Sequence, residues 1–408
     1  MSVTHCPAEV LDHIFAFTEE CSPAQFLPQF PLRHLSLVCK YWNPIAERRL
    51  YRTVSIGSSF SSFADYYDRR TSWELGSSYE PRARTSTCTL DSFIWTLQYG
   101  RECLRETVCE IRLRSLFLTN ASNDHFIRLF DALRACRNVV HFELHMSYIN
   151  IASTELFSLK LVNLLSSWQL ASIRIQFDGN KICLGASDLF RLAPYWPGLE
   201  CIQFRDDTTQ PAQKKGTLAI PSCRCPRLRK LELHTDSVYL DESDLRTIRD
   251  MTHQGVSQLD IQVANDGGAH KALSDCLTTW GKTLEHLRLI TSVDFEIAPF
   301  TGLLPHLGAL KYLYLDILRC DINELSNLSL LEEVNLGANP RKLRELAAIL
   351  SDVHSFPSLK VVRVRIMERD IEDVWDMASS DASQDAVSLL RTACLTRGID
   401  IKTSRHGN

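Results

Sequence analysis

Two short clusters in the sequence have side chains that could do chemistry. His141, Glu143 and His145 stand at alternate positions, and imidazole and carboxylate groups can bind a metal ion or transfer protons. Cys223 and Cys225 form a Cys-x-Cys pair, and two thiolates can contribute to a zinc site. Either cluster becomes a site only if the surrounding elements bring enough ligands to one point.

The spacing of both clusters is unfavourable for metal binding. The segment around Glu143 alternates apolar and polar residues as a strand does, and strand residues four apart are about 13 Å from one another. That distance is too long for His141 and His145 to share an ion. The cysteine pair has no second pair at zinc-finger spacing, and the 14 cysteines are scattered as reduced thiols are in intracellular proteins. We therefore expect no metal site.

A third motif, Gly281-Lys282-Thr283, resembles the end of a phosphate-binding loop. The glycine that such a loop needs earlier would fall at Cys276, so the motif is incomplete. The sequence also has no Gly-x-Ser-x-Gly elbow and no Ser/His/Asp order typical of a hydrolase. These observations predict a protein with no catalytic residue and no cofactor, rather than an enzyme.

The segments that carry these residues belong to a repeat. In Leu228–Leu233 an apolar first residue, the anchor, is followed by apolar residues three and five positions later, with a polar residue between them. The pattern recurs at intervals of 21 to 31 residues, with anchors at Val108, Val139, Leu170, Leu199, Leu228, Val256, Leu284, Leu310, Leu331 and Leu359. A period of two is typical of a strand, and about 28 residues suffice for the chain to return and place the next strand parallel to it.

The segments between the strands predict helices or turns, so the fold class is α/β. Apolar residues three and four apart predict helices at 123–137, 154–168, 241–251, 269–280 and 341–350, with Ser153, Asp241 and Asn339 as caps. No single repeat can bury its apolar face alone, so we expect one continuous core. The pattern is typical of a leucine-rich-repeat solenoid, a horseshoe with a parallel sheet on its concave face.

Two domains are expected. Residues 1–50 are predicted to form a small all-α module, and residues 51–404 a solenoid with atypical first and last repeats. The solenoid should begin with a strand at 51–56, an exposed loop at 58–89 and a helix at 90–104. Near its end we expect helices at 370–377 and 382–395, a polar break at 379–381 between them, and a strand at 399–401.

Composition narrows the class of partner. The 408 residues are 45% hydrophobic and carry a net charge of −4, which argues against a general nucleic-acid binder because such proteins need a basic surface. No stretch of 18 apolar residues occurs, so no membrane partner is expected. The first six residues lack the features of a secretion signal. We expect a cytoplasmic or nuclear protein.

The first fifty residues contain two motifs of a known family. Their opening matches Pro-x-Glu-[Ile/Val]-Leu-x-x-Ile-Phe, and a later segment matches Leu-x-x-Val-Cys-[Lys/Arg]-x-Trp. The matching residues are Pro7, Glu9, Val10, Leu11, Ile14 and Phe15 in the first motif and Leu35, Val38, Cys39, Lys40 and Trp42 in the second. These residues resemble an F-box. Cys6 stands where that family usually has Leu, and the Pro-rich segment between the motifs is long. The closing segment at 45–52 is similar to that of many fungal F-box proteins, including those with leucine-rich repeats.

The resemblance implies a substrate-recognition adaptor of an SCF-type cullin-RING ubiquitin ligase. The helical module would dock on the Skp-type adaptor, and through it on the cullin and RING subunits, while the repeats hold a protein substrate. The adaptor-binding residues that it implies are Pro7, Val10, Leu11, Ile14, Phe15, Leu35, Val38, Cys39 and Trp42. A second interpretation stays open, in which the chain is a non-catalytic repeat scaffold or inhibitor outside ubiquitination and the N-terminal helices only cap the solenoid.

The outward positions of the strands, two, four and six residues after each anchor, are the candidate substrate surface. Their mixed charges and few aromatic rings suit a protein partner better than a nucleic-acid backbone. Tyr312, Tyr314 and Arg288 are expected to form an anchor cluster, because aromatic and Arg residues carry most binding energy at interfaces. Arg112 and Arg174 could instead bind an acidic or phosphorylated segment. The C-terminal helices and the 58–89 loop are competing sites.

Overall fold

The structure is a computed structural model that describes most of the chain. It describes residues 7–20, 40, 42–57, 93–100, 102–118, 123–148, 155–178, 184–207, 225, 227–235, 239–252, 254–264, 267–291, 304–315, 322–352, 354–366 and 379–405. The chain forms two compact units, Met1–Gly185 and Ala186–Asn408. The predicted loop at 58–89, the predicted helix at 370–377 and the cap at Ser153 lie outside the described residues.

The first unit alternates helices with parallel strands. Its elements are α1 (Ala8–Glu20), α2 (Asn43–Arg52), β1 (Thr53–Gly57), a helical segment at 93–99, α3 (Glu102–Thr107), β2 (Glu110–Leu118), α4 (Asn123–Leu133), β3 (His141–Tyr148), α5 (Glu155–Leu165) and β4 (Ser172–Asp178). Strands β1 to β4 lie in sequence order, each parallel to the one before it.

The second unit continues the alternation with eight more parallel strands, again in sequence order. Its elements are α6 (Ala186–Leu192), a 3₁₀ turn (Ala193–Tyr195), β5 (Cys201–Asp207), β6 (Lys230–Thr235), α7 (Glu242–Met251), β7 (Gln258–Val263), α8 (Gly267–Trp280), β8 (His286–Thr291), a 3₁₀ turn (Leu304–His306), β9 (Tyr312–Leu315), α9 (Ile322–Ser326), β10 (Glu333–Ala338), α10 (Pro340–Leu350), β11 (Val361–Ile366), α11 (Ser379–Thr396) and β12 (Asp400–Arg405).

The strand register confirms the predicted repeat. Equivalent apolar residues lie side by side on neighbouring strands, as Leu231, Leu259 and Leu287 do on β6, β7 and β8. All ten anchors and all twenty apolar residues that follow them by three and five positions are buried. The residue between each pair therefore points outward, because successive strand residues alternate in direction. The α/β class with a repeated, open parallel sheet is confirmed.

The helices begin where the sequence provides caps. Asp241 accepts a hydrogen bond from the backbone N–H of Asp244 at 2.9 Å, and the Asp244 carboxylate accepts one from the Asp241 N–H at 3.1 Å, which completes a capping box. Asn339 accepts a hydrogen bond from the backbone N–H of Lys342 at 2.9 Å. Both predicted caps are confirmed, and the five predicted return helices are present within a few residues of their expected bounds.

Three boundaries differ from the sequence expectation. The polar break expected at 379–381 is the first turn of α11, where Ser and Asp are favoured because they satisfy free backbone N–H groups. The first strand begins at Thr53 because α2 continues through Arg52, a basic residue suited to a helix C-terminus. The helix expected at 90–104 appears as helical residues 93–99 and then α3. The division into residues 1–50 and 51–404 stays a prediction.

Candidate functional site

The outward residues of β2, β3 and β4 form a cluster of arginines and glutamates in the first unit. Arg114 donates two hydrogen bonds to the Glu143 carboxylate, at 2.7 and 2.8 Å. Arg174 approaches the same carboxylate at 3.9 Å. Arg112 donates to Glu110 at 2.6 Å. The structure therefore places Arg112 and Arg174 in one cluster, and both contact carboxylates of this chain.

The cluster shifts the ionisation of its central carboxylate. Burial raises the pKa of Glu143, but the hydrogen bonds from Arg114 and the charges of Arg114, Arg174 and Arg112 outweigh burial and hold the pKa below its usual value. In return, the hydrogen bond to Glu143 raises the pKa of the Arg114 guanidinium. Glu143 is therefore a fixed anion among cations, which is unsuited to proton transfer near neutral pH.

The histidines beside Glu143 do not converge on one point. The Nε2 atom of His145 lies 2.6 Å from an Asp178 carboxylate oxygen on the neighbouring strand, whereas His141 is exposed at the beginning of β3. Among the residues that the structure describes, no three His, Cys, Asp or Glu side chains are placed to hold a metal ion. Cys225 is buried, and Cys223 lies outside the described residues.

The second unit carries a shallow cavity on its outward strand face, which we call the tyrosine patch. Its volume is about 300 Å³, and its walls come from strands β6 to β10. The outward side chains that line it are Lys230, Glu232, Gln258, Asp260, His286, Arg288, Tyr312, Tyr314, Glu333 and Asn335. Arg288 and Tyr314 are paired in the strand register, as the sequence predicts. The three predicted anchor residues are therefore brought together.

Ring contacts order the tyrosine patch. The His286 ring stacks on Tyr312 with centroids 4.2 Å apart and planes 18° apart. The Arg288 guanidinium carbon lies 4.5 Å from the centre of the Tyr314 ring. A second guanidinium, that of Arg365 on β11, lies 5.5 Å from the same ring and donates a hydrogen bond to the Tyr314 hydroxyl. Tyr314 therefore contacts two cationic side chains.

Arg365 is not among the binding residues predicted from the sequence, although the sequence contains a signal for its contact with Tyr314. Arg365 follows its anchor Leu359 by six positions, which makes it an outward residue. The residue beside it on β10 is Gly337, which has no side chain. An outward Gly next to an outward Arg leaves room for the long side chain to extend across the strand. An outward Gly beside an outward Arg is thus a sequence signal that the Arg side chain can cross its neighbouring strand.

Ion pairs surround the two tyrosines. A carboxylate oxygen of Asp260 lies 2.7 Å from His234 Nε2 and 3.5 Å from the Arg288 guanidinium. Burial lowers the pKa of the Arg365 guanidinium below its usual value, and the nearby charge of Arg288 lowers it further. Burial likewise lowers the pKa of His286, which favours its neutral form. The tyrosine patch is thus partly shielded from water, and its charges act on one another.

The F-box-like residues lie on both the buried and the exposed faces of α1. Leu11 is buried at 1% exposure, whereas Val10 and Ile14, on the same helix, are 45% and 46% exposed. Asp12 forms two hydrogen bonds with Arg49 of α2, at 2.5 and 2.6 Å, which fix the two helices against each other. The hydrogen bond from Arg49 holds the pKa of Asp12 below its usual value.

The other residues predicted to bind the adaptor are described in part. Pro7 is exposed in front of α1, and Trp42 is half-buried next to α2. The backbone of Phe15 belongs to α1, but its side chain lies outside the described part of the structure. Leu35, Val38 and Cys39 also lie outside it. The structure thus places the side chains of Pro7, Val10, Leu11, Ile14 and Trp42, and the rest of the second motif stays a prediction.

Comparison with known proteins assigns no family to the chain. No protein-family model matches the sequence, and a search of curated proteins returns no match. In the part of the chain that the structure describes, no helix is long and apolar enough to cross a membrane. The exposed apolar residues of α1 and the outward strand faces are therefore the features that bear on function.

Proposed function

We propose that the protein is a substrate-recognition adaptor of an SCF-type cullin-RING ubiquitin ligase, in which an N-terminal F-box binds the Skp-type adaptor and a leucine-rich-repeat horseshoe binds a protein substrate. The observation that carries the proposal is the pair Val10 and Ile14. Both are large apolar residues, both are nearly half exposed, and both occupy matching positions of the F-box motif. Exposed apolar residues one helical turn apart are suited to burial against a partner.

The outward strand faces support the substrate-binding half of the proposal. A rigid parallel sheet presents its side chains without a large ordering cost on binding. The tyrosine patch supplies aromatic and arginine side chains, the residue types that contribute most at protein interfaces. The role is recruitment, and the proposal requires no catalytic residue.

The test is binding to a purified Skp-type adaptor. A double variant, Val10→Lys with Ile14→Lys, should lose co-purification with the adaptor, because it places two charges in the proposed apolar contact. The double variant Leu156→Lys with Leu159→Lys is the matched control, since these residues on α5 are exposed to a similar degree, 51% and 58%. The control should bind as the wild type does. Circular dichroism should show that both variants fold.

Deletion of residues 1–50 would be a poor test of adaptor binding. Helix α2 continues through Arg52 and packs against β1 and α3. Removal of most of α2 would expose the beginning of the repeat core and confuse loss of binding with loss of folding. Binding of the Val10/Ile14 variant at the wild-type level, or no adaptor binding by the wild type, would exclude the proposed contact.

The contact of α2 with the first repeat also favours the second candidate function, a repeat scaffold or inhibitor outside ubiquitination. In that case α1 and α2 cap the core, and the Asp12–Arg49 ion pair serves to hold them together. The scaffold function predicts that the wild-type protein binds no Skp-type adaptor. The same co-purification experiment therefore separates the two functions.

A further inference from the structure

A groove lies between the last two helices of the second unit, α10 and α11, and we call it the helix groove. Its volume is about 710 Å³, within the range of cavities that hold drug-sized ligands. On α10 its lining residues recur every three or four positions from Arg344 to Ser351, and on α11 they do so from Leu389 to Thr396. Residues at this spacing share one side of a helix, so each helix presents a single face to the groove.

The two helices run in the same direction along the helix groove. Arg397, just after α11, donates hydrogen bonds to the carbonyl oxygens of Leu350 and Asp352 at the end of α10, at 3.4 and 3.3 Å. The C-terminal ends of the helices are therefore neighbours, and Leu389, eight residues before Arg397, lies near the level of Arg344. Each lining face covers seven residue steps, so the groove is about 10 Å long.

The middle of the helix groove offers methyl groups rather than hydrogen-bond donors. Ala347 and Ala393, one on each helix, line it and are buried. The hydroxyls of Ser351, Thr392 and Thr396 donate to carbonyl oxygens four residues earlier in their own helices, at 2.8, 2.9 and 2.8 Å. Because these donors are satisfied within the helices, the groove favours a ligand with an apolar body.

The two ends of the helix groove differ in what they offer a ligand. At the C-terminal end, Arg397 donates to the backbone carbonyls that follow α10, including that of Phe356 at 3.2 Å, so this guanidinium holds the chain together. At the other end Arg344 is exposed, and Leu389 is 54% exposed. Arg344 has contacts within the chain, and a guanidinium with five N–H donors can bind a carboxylate in addition to them. The groove is therefore apolar along its length and cationic at the Arg344 end.

We propose that the helix groove binds a medium-chain fatty-acid anion, with its carboxylate at Arg344 and its chain along the faces of α10 and α11. The chain suits the alanines and the threonine methyl groups, and the carboxylate suits a guanidinium, which can form paired hydrogen bonds with it. An extended carbon chain advances roughly 1.25 Å per bond, so about eight to ten carbons match the length of the groove. The inference does not depend on the proposed function, because α1 and the tyrosine patch take no part in it.

The test uses the full chain and sodium decanoate, at concentrations too low for micelles to form. Titration calorimetry should show saturable binding of one decanoate per chain. Decylamine has the same chain and the opposite charge, and it should bind at least about tenfold more weakly. Octanoate lacks two methylene groups and should also bind about tenfold more weakly. Methyl decanoate, which represents an acyl chain esterified to a lipid or a protein, should bind more weakly than the free anion because it has no charge for Arg344.

Two pairs of variants test the walls of the helix groove. Leu389→Ala removes an apolar wall and should weaken decanoate binding several-fold. Leu395→Ala is its matched control, because Leu395 is 68% exposed on the same helix and does not line the groove. Ala348→Trp places a large ring in the groove at an exposed lining position and should abolish binding. Ser388→Trp, at an exposed position of α11 outside the groove, should bind as the wild type does.

A third pair tests the carboxylate contact. Arg344→Ala should lower the affinity for decanoate about tenfold and leave the affinity for methyl decanoate unchanged, because only the anion uses the guanidinium. Arg391→Ala removes another exposed arginine, one on α11 outside the helix groove, and should change neither affinity. Thermal unfolding of every variant shows whether it folds.

Each outcome decides the inference. Absence of saturable decanoate binding by the wild type, or wild-type affinity in Ala348→Trp, would overturn the helix groove as a ligand site. If Ala348→Trp does not fold, Leu389→Ala decides the same question, and wild-type affinity in that variant would overturn the site. Equal affinity for decanoate and methyl decanoate, or an unchanged affinity for decanoate in Arg344→Ala, would overturn the assignment to a fatty-acid anion.

Discussion

At the scale of single residues, Glu143 is the side chain on which Arg114 and Arg174 converge. It accepts two hydrogen bonds from Arg114 and lies near Arg174, and both contacts join neighbouring strands. A carboxylate in this position compensates charges that would otherwise repel each other across the sheet. Its role is structural, since the surrounding cations keep it ionised.

Replacement of Glu143 by Gln should therefore destabilise the fold. We expect a loss of about 1 kcal/mol, because the pair is partly exposed and the remaining arginines lose their shared anion. The loss should be larger at low salt, where repulsion between the arginines is less screened. Urea unfolding at two salt concentrations measures both effects, with the exposed Glu106→Gln as the control. Equal stability of Glu143→Gln and the wild type would show that the cluster contributes nothing.

His286 predicts a dependence of stability on pH. Burial is the main cause of its lowered pKa, the charges of Lys230 and Lys311 add to that effect, and Glu285 opposes it. The unfolded chain takes up a proton at about pH 6.5, and the folded chain does so only at a lower pH. The stabilisation is therefore complete above about pH 6.5 and is lost as the pH falls through the folded pKa.

The measurement is the melting temperature between pH 7.5 and 5. The variant His286→Phe keeps an aromatic ring beside Tyr312 but cannot be protonated, so its melting temperature should fall less than that of the wild type. His306→Phe, at an exposed histidine, should keep the wild-type dependence. If His286→Phe and the wild type show the same slope, protonation of this residue does not affect folding.

At the scale of strands and helices, the repeat is held together by rows of buried apolar residues. Leu231 on β6 and Leu289 on β8 are buried, at 0% and 2% exposure, and both lie at inward positions of the pattern. Leu231→Ala and Leu289→Ala should each cost about 2–5 kcal/mol, because each leaves a cavity in a packed core. Chemical denaturation measures the loss, with the exposed Lys282→Ala as the control. Wild-type stability in both leucine variants would be incompatible with the inward assignment.

The cap of α7 can be tested separately. Asp241→Ala removes an acceptor for the Asp244 backbone N–H and should cost about 1 kcal/mol. Asp241→Asn keeps an acceptor and should lose less. The exposed Gln254→Ala, beyond the other end of the helix, is the control. An alanine variant as stable as the asparagine variant would mean that the capping box is not important for the helix.

These elements also show how far the sequence can predict the fold. The inward leucines follow from a local alternation and a regular interval, and neither depends on distant contacts, so β6 and β8 could be predicted with their register. The contact of Arg365 with Tyr314 could not, because it depends on the length of the Arg365 side chain and on Gly337, which has no side chain, on the strand between them. The break expected at 379–381 was wrong because Ser and Asp favour loops and helix N-termini equally.

At the scale of the whole molecule, a repeat core needs a distinct last unit, because a repeat without a neighbour would expose its apolar face. Helix α11 packs on α10, and we expect it to shield the apolar face of that repeat in the second unit. Arg397, just after α11, donates hydrogen bonds to the backbone carbonyls of Leu350 and Phe356 at 3.4 and 3.2 Å. Gly398, with a positive φ of 69°, then turns the chain into β12.

Two neighbouring leucines of α11 test this closing role with a matched control. Leu390 is fully buried, whereas Leu389 is 54% exposed. Leu390→Ala should cost about 2–5 kcal/mol because it leaves a cavity between α11 and the repeat core, and Leu389→Ala should change stability by at most about 0.5 kcal/mol. Hydrogen exchange should show the loss of protection in Leu390→Ala first in β11 and β12, since the last repeats depend directly on α11. Equal effects of the two substitutions would mean that α11 does not close the core and that the exposed end must be covered by another segment.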